Sequence, residues 1–212
     1  MLMRILIADD HPIIAIALTE MLKTAFPGDV HIEAIVDGPG LLHKVGQARY
    51  DYLVLDLQMP GSPTSIPLLR AVMSICPDLR VIVYTGHVHP CLALASLDLG
   101  ASGYVSKNSG PFLAMEAMRA VVAGGQFVDP TIDLQAARNH PWMRLTAAEQ
   151  GILIALAQGN NLQALAIDSE RSYKTVTTHK YNALRKLGLR ANTEIGPYLA
   201  NHGLDYLLTE ST

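Results

Sequence analysis

Five residues have types and positions suited to phosphoryl chemistry. Asp9 and Asp10 follow the apolar run Arg4–Ala8, Asp56 closes a second such run, Thr85 closes a third, and Lys107 lies just past a fourth. Three carboxylates brought to one edge repel unless a hard divalent cation sits among them, and Mg²⁺ prefers a few carboxylates together with waters and phosphoryl oxygens. A carboxylate is also a nucleophile toward phosphorus, and a metal, a hydroxyl and an ammonium can offset the charge spread over the transferring oxygens. Taken singly, each residue reads as a helix cap or a polar loop position. Their joint placement at the ends of expected strands points to a shared site.

The elements that must bring these residues together are legible as alternating patterns over residues 1–124. Strands are predicted at Arg4–Ala8, Ile32–Val36, Tyr52–Leu55, Arg80–Tyr84 and Gly103–Val105, each bounded by Gly, Pro or Asp. Helical periodicity fills the gaps at Pro12–Phe26, Pro39–Ala48, Ile66–Ile75, Pro90–Leu99 and Pro111–Ala123, where four prolines suit a first helical turn. Such a βα alternation predicts an α/β, doubly wound, five-stranded parallel sheet with helices on both faces. Ligands of such sheets bind beyond the carboxyl ends of the strands, where the five polar residues lie.

The chain has 212 residues, half of them apolar, with 16 Lys+Arg and 19 Asp+Glu for a net charge of −3. That length allows one or two domains with cores of their own, and the apolar content excludes collagen-like, disulfide-scaffold and disordered classes. Cys76 and Cys91 sit in apolar stretches, no signal-peptide pattern opens the chain, and Asp, Gly or Pro interrupts every apolar run. A cytoplasmic protein without a membrane segment is the expectation. The near-neutral total hides an asymmetry: all six basic residues after position 145 fall between Arg171 and Arg190, a window without an acid. One basic helix on a neutral domain fits polyanion binding through a single face, against the plainer reading of a solvated helix face.

Residues 125–144 mix Gly, Pro and isolated apolar positions without a period and read as a linker, with Trp142 as a packing residue. Beyond it, residues 145–212 carry four helical patterns and no strand. Thr146 and Glu149 form a capping box ahead of a helix ended by Gly159, and a short helix runs from Leu162 to Ser169. Ser172 then caps Tyr173–Leu187, stopped by Gly188, and Glu194–Asn201 makes the last helix before a polar tail. Two short helices with the basic one second fit a helix-turn-helix.

With these motifs in view, residues 1–124 resemble the flavodoxin-like receiver domain of bacterial two-component response regulators. The resemblance lies in ILIADDHP (Ile5–Pro12), LVLDLQMPG (Leu53–Gly61), VIVYTG (Val81–Gly86) and GASGYVSK (Gly100–Lys107). It implies that Asp56 is the phosphoacceptor, that Asp9, Asp10, Asp56 and the Gln58 carbonyl organise Mg²⁺, and that Thr85 and Lys107 bind the phosphoryl group. Tyr104 matches the aromatic whose rotation accompanies activation.

Residues 143–200 resemble the LuxR-type helix-turn-helix of the NarL/FixJ family through LTAAE (Leu145–Glu149), LAQG (Leu156–Gly159), SYKTVTTH (Ser172–His179) and ALRKLGL (Ala183–Leu189). That resemblance places Thr177, Thr178 and Tyr181 toward base edges and Lys174, Thr175, Lys180 and Arg185 toward phosphates, with Val176, Leu184 and Leu187 in the core.

The chain departs from the family pattern in three places. The loop after Gly61 is one residue longer, and Asn108 replaces the proline that often follows the lysine, here Lys107. The supporting helix also carries Asn161, Leu162, Ala164, Asp168, Ser169 and Arg171 where other types are usual. The combined reading is a response regulator that accepts phosphate from a sensor histidine kinase, dimerises when phosphorylated and regulates transcription on double-stranded DNA. The alternative is a receiver-bearing adaptor that acts through a protein partner. Catalysis is expected to be limited to accepting phosphate and slow autodephosphorylation, because a dedicated aspartyl-phosphate hydrolase needs an acid where Gln58 stands.

Overall fold

A computed structural model describes residues 2–209, which divide into two compact units at the boundary between Ile132 and Asp133. In the first unit β1 (Met3–Ala8), β2 (Val30–Ile35), β3 (Tyr52–Leu55), β4 (Arg80–Thr85) and β5 (Gly103–Ser106) alternate with α1 (Pro12–Ala25), α2 (Gly38–Gln47), α3 (Ser65–Ile75), α4 (Pro90–Asp98) and α5 (Pro111–Val122). All strand pairs are parallel, in the order β2-β1-β3-β4-β5 with a short β6 (Phe127–Val128) beside β5. Successive strand side chains face opposite sides, so one parity (Ile5, Ile7, Val54, Ile82, Val105) packs on Leu18, Leu22, Met115, Met118 and Val121 of α1 and α5. The other parity (Leu6, Leu53, Leu55, Val81, Val83) is fully buried too, which explains why these strands read as continuous apolar runs.

The sheet corrects the expectation of five strands. A sixth, β6 (Phe127–Val128), pairs with Gly103 and Tyr104 of β5. Two residues are too few for any alternation to show in the sequence, and Gly124 and Gly125 before them read as the start of a linker. The linker reading of 125–144 is corrected with it. Residues up to Ile132 belong to the first unit, while α6 (Leu134–Arg138) and a 3-10 turn at Pro141–Arg144 open the second.

The second unit is built from α7 (Ala147–Ala157), α8 (Leu162–Asp168), α9 (Tyr173–Leu187) and α10 (Ile195–Asn201). The four expected helices are present. The Thr146–Glu149 capping box forms, Asn161 accepts from the Ala164 N–H to start α8, and Ser172 does the same for α9 from Thr175. Ile152, Ala166 and Val176 meet at the centre of the three helices α7, α8 and α9, with Leu156, Leu162 and Leu165 around them. The turn between α8 and α9 places Glu170 at φ +54°, a left-handed position held without glycine at a cost of about 1–2 kcal/mol. The segment after α10, expected as a polar tail, makes a further 3-10 turn at Asp205–Leu208 that buries Tyr206.

Candidate functional site

The order of the sheet reverses between β1 and β3, whose last residues Ala8 and Leu55 pair. The next residues, Asp9 and Asp56, therefore emerge side by side at the carboxyl edge, where a crevice is expected. Their backbones are fixed by the Asp9 N–H donating to Ile35 O and the Asp56 N–H to Ala8 O, and both side chains are almost fully buried. Lys107, carried on a 3-10 turn after β5, places its Nζ 2.6 Å from Asp56 Oδ2 and 2.7 Å from Asp9 Oδ2. One ammonium thus bridges two buried carboxylates. Burial opposes its charge, but the hydrogen bonds to Asp56 and Asp9 outweigh that cost and hold its pKa above the usual lysine value.

The remaining residues complete the crevice. The Gln58 N–H donates to Asp56 Oδ1 at 2.9 Å. Thr85, at the end of β4, is wholly buried, and its hydroxyl has no hydrogen-bond partner. An unpaired buried hydroxyl carries a desolvation penalty that a phosphoryl oxygen would relieve. Asp10 Oδ1 is buried too, with the His11 imidazole as its close polar neighbour. His11, a residue that the sequence reading passed over, sets its Nδ1 3.1 Å from Asp9 Oδ1 and 2.9 Å from Asp10 Oδ1. Asp9, Asp10, His11 and Asp56 each offer a ligand atom within 4.8 Å of the others, the only such group among the described residues. A cluster dominated by carboxylate oxygens fits a hard divalent cation.

Tyr104 lies on β5 with its ring fully buried, and its hydroxyl donates to the His87 carbonyl in the β4–α4 loop at 3.1 Å. Burial, and then the charges of Asp56 and Asp129, push its pKa far above the usual tyrosine range. The ring is therefore packed inward rather than half-exposed.

In the second unit α9 divides into two faces. Val176, Ala183, Leu184 and Leu187 are buried, while Lys174, Thr178, Tyr181 and Arg185, spaced by four, three and four residues, form one exposed stripe. Thr177 and Lys180 are half-buried. The Thr177 hydroxyl has no partner, and the Lys180 ammonium sits 4.2 Å from the Tyr181 ring centre. Thr175 is exposed but takes part in the Ser172 cap, and Thr178 donates back to the Lys174 carbonyl at 2.8 Å.

Lys186 belongs to the basic window yet pairs with a buried acid of α7. Its Nζ is 2.7 Å from Glu149 Oε2, which also accepts from the Thr146 N–H and hydroxyl. Desolvation raises the Glu149 pKa, but the hydrogen bonds to Lys186 and Thr146 prevail and hold it below the usual value. Among the described residues no helix is long and apolar enough to cross a membrane.

Known proteins share both units. The response regulator receiver domain model matches residues 5–119, more than half of the chain, and the model of bacterial regulatory proteins of the luxR family matches residues 143–197. The oxygen regulatory protein NreC of Staphylococcus carnosus is 27% identical over 210 residues, covering 92% of this chain and 96% of that one. The transcriptional regulatory protein RcsB of Escherichia coli strain K12 is 28% identical over 205 residues, covering 94% of each. Among solved structures, RcsB of Salmonella enterica serovar Typhimurium bound to promoter P1flhDC in the presence of the phosphomimetic BeF3− superposes with a TM-score of 0.69 at 28% identity. That match covers 93% of this chain and 97% of the other. A structure of two RcsB dimers bound to two parallel DNAs matches with a TM-score of 0.66 at 28% identity, over 94% and 98% of the respective chains. With a receiver site at the edge of the first unit and a LuxR-type helix-turn-helix in the second, the chain is a member of the NarL/FixJ family of two-component response regulators.

Proposed function

We propose that this protein is a transcriptional regulator switched by phosphorylation of Asp56. The observation that carries this reading is the fully buried, unpartnered Thr85 hydroxyl at the same edge as the Lys107-bridged pair Asp9 and Asp56. In the transfer, an Asp56 carboxylate oxygen bonds to phosphorus as the P–N bond of a kinase phosphohistidine breaks, and that electron pair leaves with the imidazole. Lys107 then shifts its ammonium toward the phosphoryl oxygens, and the Thr85 hydroxyl donates to another. Asp9, Asp10 and Asp56, with the Gln58 carbonyl, would hold Mg²⁺, which when bound offsets the charge of the carboxylates and the phosphoryl group. The protein is not a dedicated enzyme, since Gln58 has no acidic proton with which to assist turnover.

The output is DNA binding through α9. Lys174 and Arg185 on the exposed stripe, with Thr175 and Lys180 beside it, contact phosphates, and Thr177, Thr178 and Tyr181 approach base edges. The structures of RcsB on DNA support this reading, as does the orientation of the buried face of α9 away from the stripe. Phosphorylation favours a homodimer matched to two-fold DNA sites, and a cytoplasmic setting accords with a kinase partner and a DNA target. The test is intact-mass analysis after incubation with acetyl phosphate. One phosphoryl group should be gained with Mg²⁺ and lost from that spectrum with chelator or in Asp56→Ala. Undiminished labelling of Asp56→Ala would overturn the assignment.

A further inference from the structure

Asp129 lies outside every motif that carries the function, in a segment whose sequence reads as a linker. Yet it is a fully buried carboxylate with all its lone pairs directed at named partners. Oδ2 accepts from the Ser106 N–H at 3.0 Å and from the Ser109 hydroxyl at 2.6 Å. Oδ1 accepts from the Thr131 N–H at 2.9 Å and the Thr131 hydroxyl at 2.6 Å. The Asp129 N–H donates to the Tyr104 carbonyl at 2.8 Å, continuing the pairing of β5 with β6. These hydrogen bonds keep its carboxyl charged against the cost of burial, with the pKa below the usual aspartate value.

Ser106 and Ser109 flank Lys107 in sequence. The ammonium of Lys107 ends a flexible four-carbon stem, so its placement depends on how firmly the backbone at its base is held. That backbone is a 3-10 turn from Lys107 to Ser109, capped by the Ser106 hydroxyl accepting from the Asn108 N–H and closed by the Gly110 N–H donating to the Lys107 carbonyl. Asp129 Oδ2 ties the residue before this turn to the residue that ends it.

We propose that Asp129 is a positioning residue for phosphoryl transfer, clamping the turn that carries Lys107 so that its ammonium reaches Asp56 and the incoming phosphoryl group. The same side chain, through Thr131, fixes the last residues of the first unit, which ends at Ile132.

This inference rests on the reading of Asp56 as phosphoacceptor, and its test separates the two. The full chain is incubated with acetyl phosphate and Mg²⁺, and the rate of phosphoryl gain is followed by intact mass for wild type, Asp129→Asn, Ser109→Ala and Ser109→Thr. Circular dichroism melts are recorded for each. Asp129→Asn removes the charge and turns one of two acceptor oxygens into a donor opposite a backbone N–H, that of Ser106 or of Thr131, so one half of the clamp is lost in either amide orientation, and Ser109→Ala removes one bond to Oδ2. Both should slow labelling, Asp129→Asn by about ten-fold or more, because small misplacements of a group acting on the transition state cost rate steeply. Ser109→Thr, which keeps the hydroxyl, should restore the rate. Should Asp129→Asn not fold, the Ser109 pair still decides. Wild-type rates in Ser109→Ala, or a folded Ser109→Thr no faster than Ser109→Ala, would overturn the positioning role. Failure of wild type itself to gain a phosphoryl group would instead overturn the reading of Asp56.

Discussion

At the scale of single residues, the clearest division is between charges that serve the edge of the sheet and charges that hold a domain together. Lys107 and Lys186 both contact buried carboxylates, but Lys107 bridges two acids at a ligand edge while Lys186 completes a helix cap. The Glu149 side chain is 4% exposed and that of Lys186 38%, so solvent screens their attraction and Glu149→Gln should cost about 1–2 kcal/mol at neutral pH. The Glu149 pKa is depressed in the folded protein, so its stabilisation is present above the unfolded value of 4.5 and is lost as pH falls through the folded value. The difference in urea midpoint between wild type and Glu149→Gln should therefore be steady between about pH 5.5 and 7 and shrink below about 4.5. A difference that grows on acidification would contradict the assignment. Asp9, Asp10, Asp56, Thr85 and Lys107 were legible in the sequence because each sits at the end of an apolar run. Asp129 was not, since its partner Ser106 is 23 residues away and only the pairing of β6 with β5 brings the two together.

At the scale of elements, legibility followed the strength of local signals. The bounds of α9 coincide with expectation because Ser172 and Gly188 punctuate both ends, Gly188 at φ +71° where a side chain would be strained. The five longer strands were visible as apolar runs, whereas β6 and α6 are too short for periodicity to separate from a loop. The turn between α8 and α9 was placed by the two helix bounds, but its left-handed residue was not readable, because Glu170 occupies the position at which glycine would have been the signal. The altered supporting helix α8 forms nonetheless, its Asn161 cap made and Ala166 in the core, although Ile167 is 77% exposed. The departures thus leave the scaffold beneath α9 in place. Removing Lys174 or Arg185 should weaken binding to all duplexes alike and reduce the salt slope by about one each. Thr178→Ala or Tyr181→Ala should narrow the gap between specific and random DNA by roughly 1–3 kcal/mol. Lys186→Ala should lower the melting temperature and leave the salt slope unchanged. Salt-dependent titrations of the purified variants separate the three behaviours, and a salt slope unaffected by Lys174 or Arg185 would remove the stripe from the interface.

At the scale of the whole molecule, each unit carries one half of the proposed switch. The first sets an ammonium across two buried carboxylates at the edge of its sheet, and the second presents a basic helix face on a near-neutral domain. In the proposed switch a charge change at Asp56 alters the contacts of Lys107 and gives the Thr85 hydroxyl a partner, a local event of the kind that biases a two-state element. Coupling between the units is what makes the protein a regulator rather than two modules on one chain. It is tested most directly by selecting genomic fragments with the full chain and titrating them with wild type and Asp56→Ala, each with and without acetyl phosphate and Mg²⁺. Wild type should bind the selected fragments more tightly after phosphorylation, while Asp56→Ala should give one affinity under both conditions. Binding by neither form of a folded protein, or an equal response to acetyl phosphate in Asp56→Ala, would contradict the account.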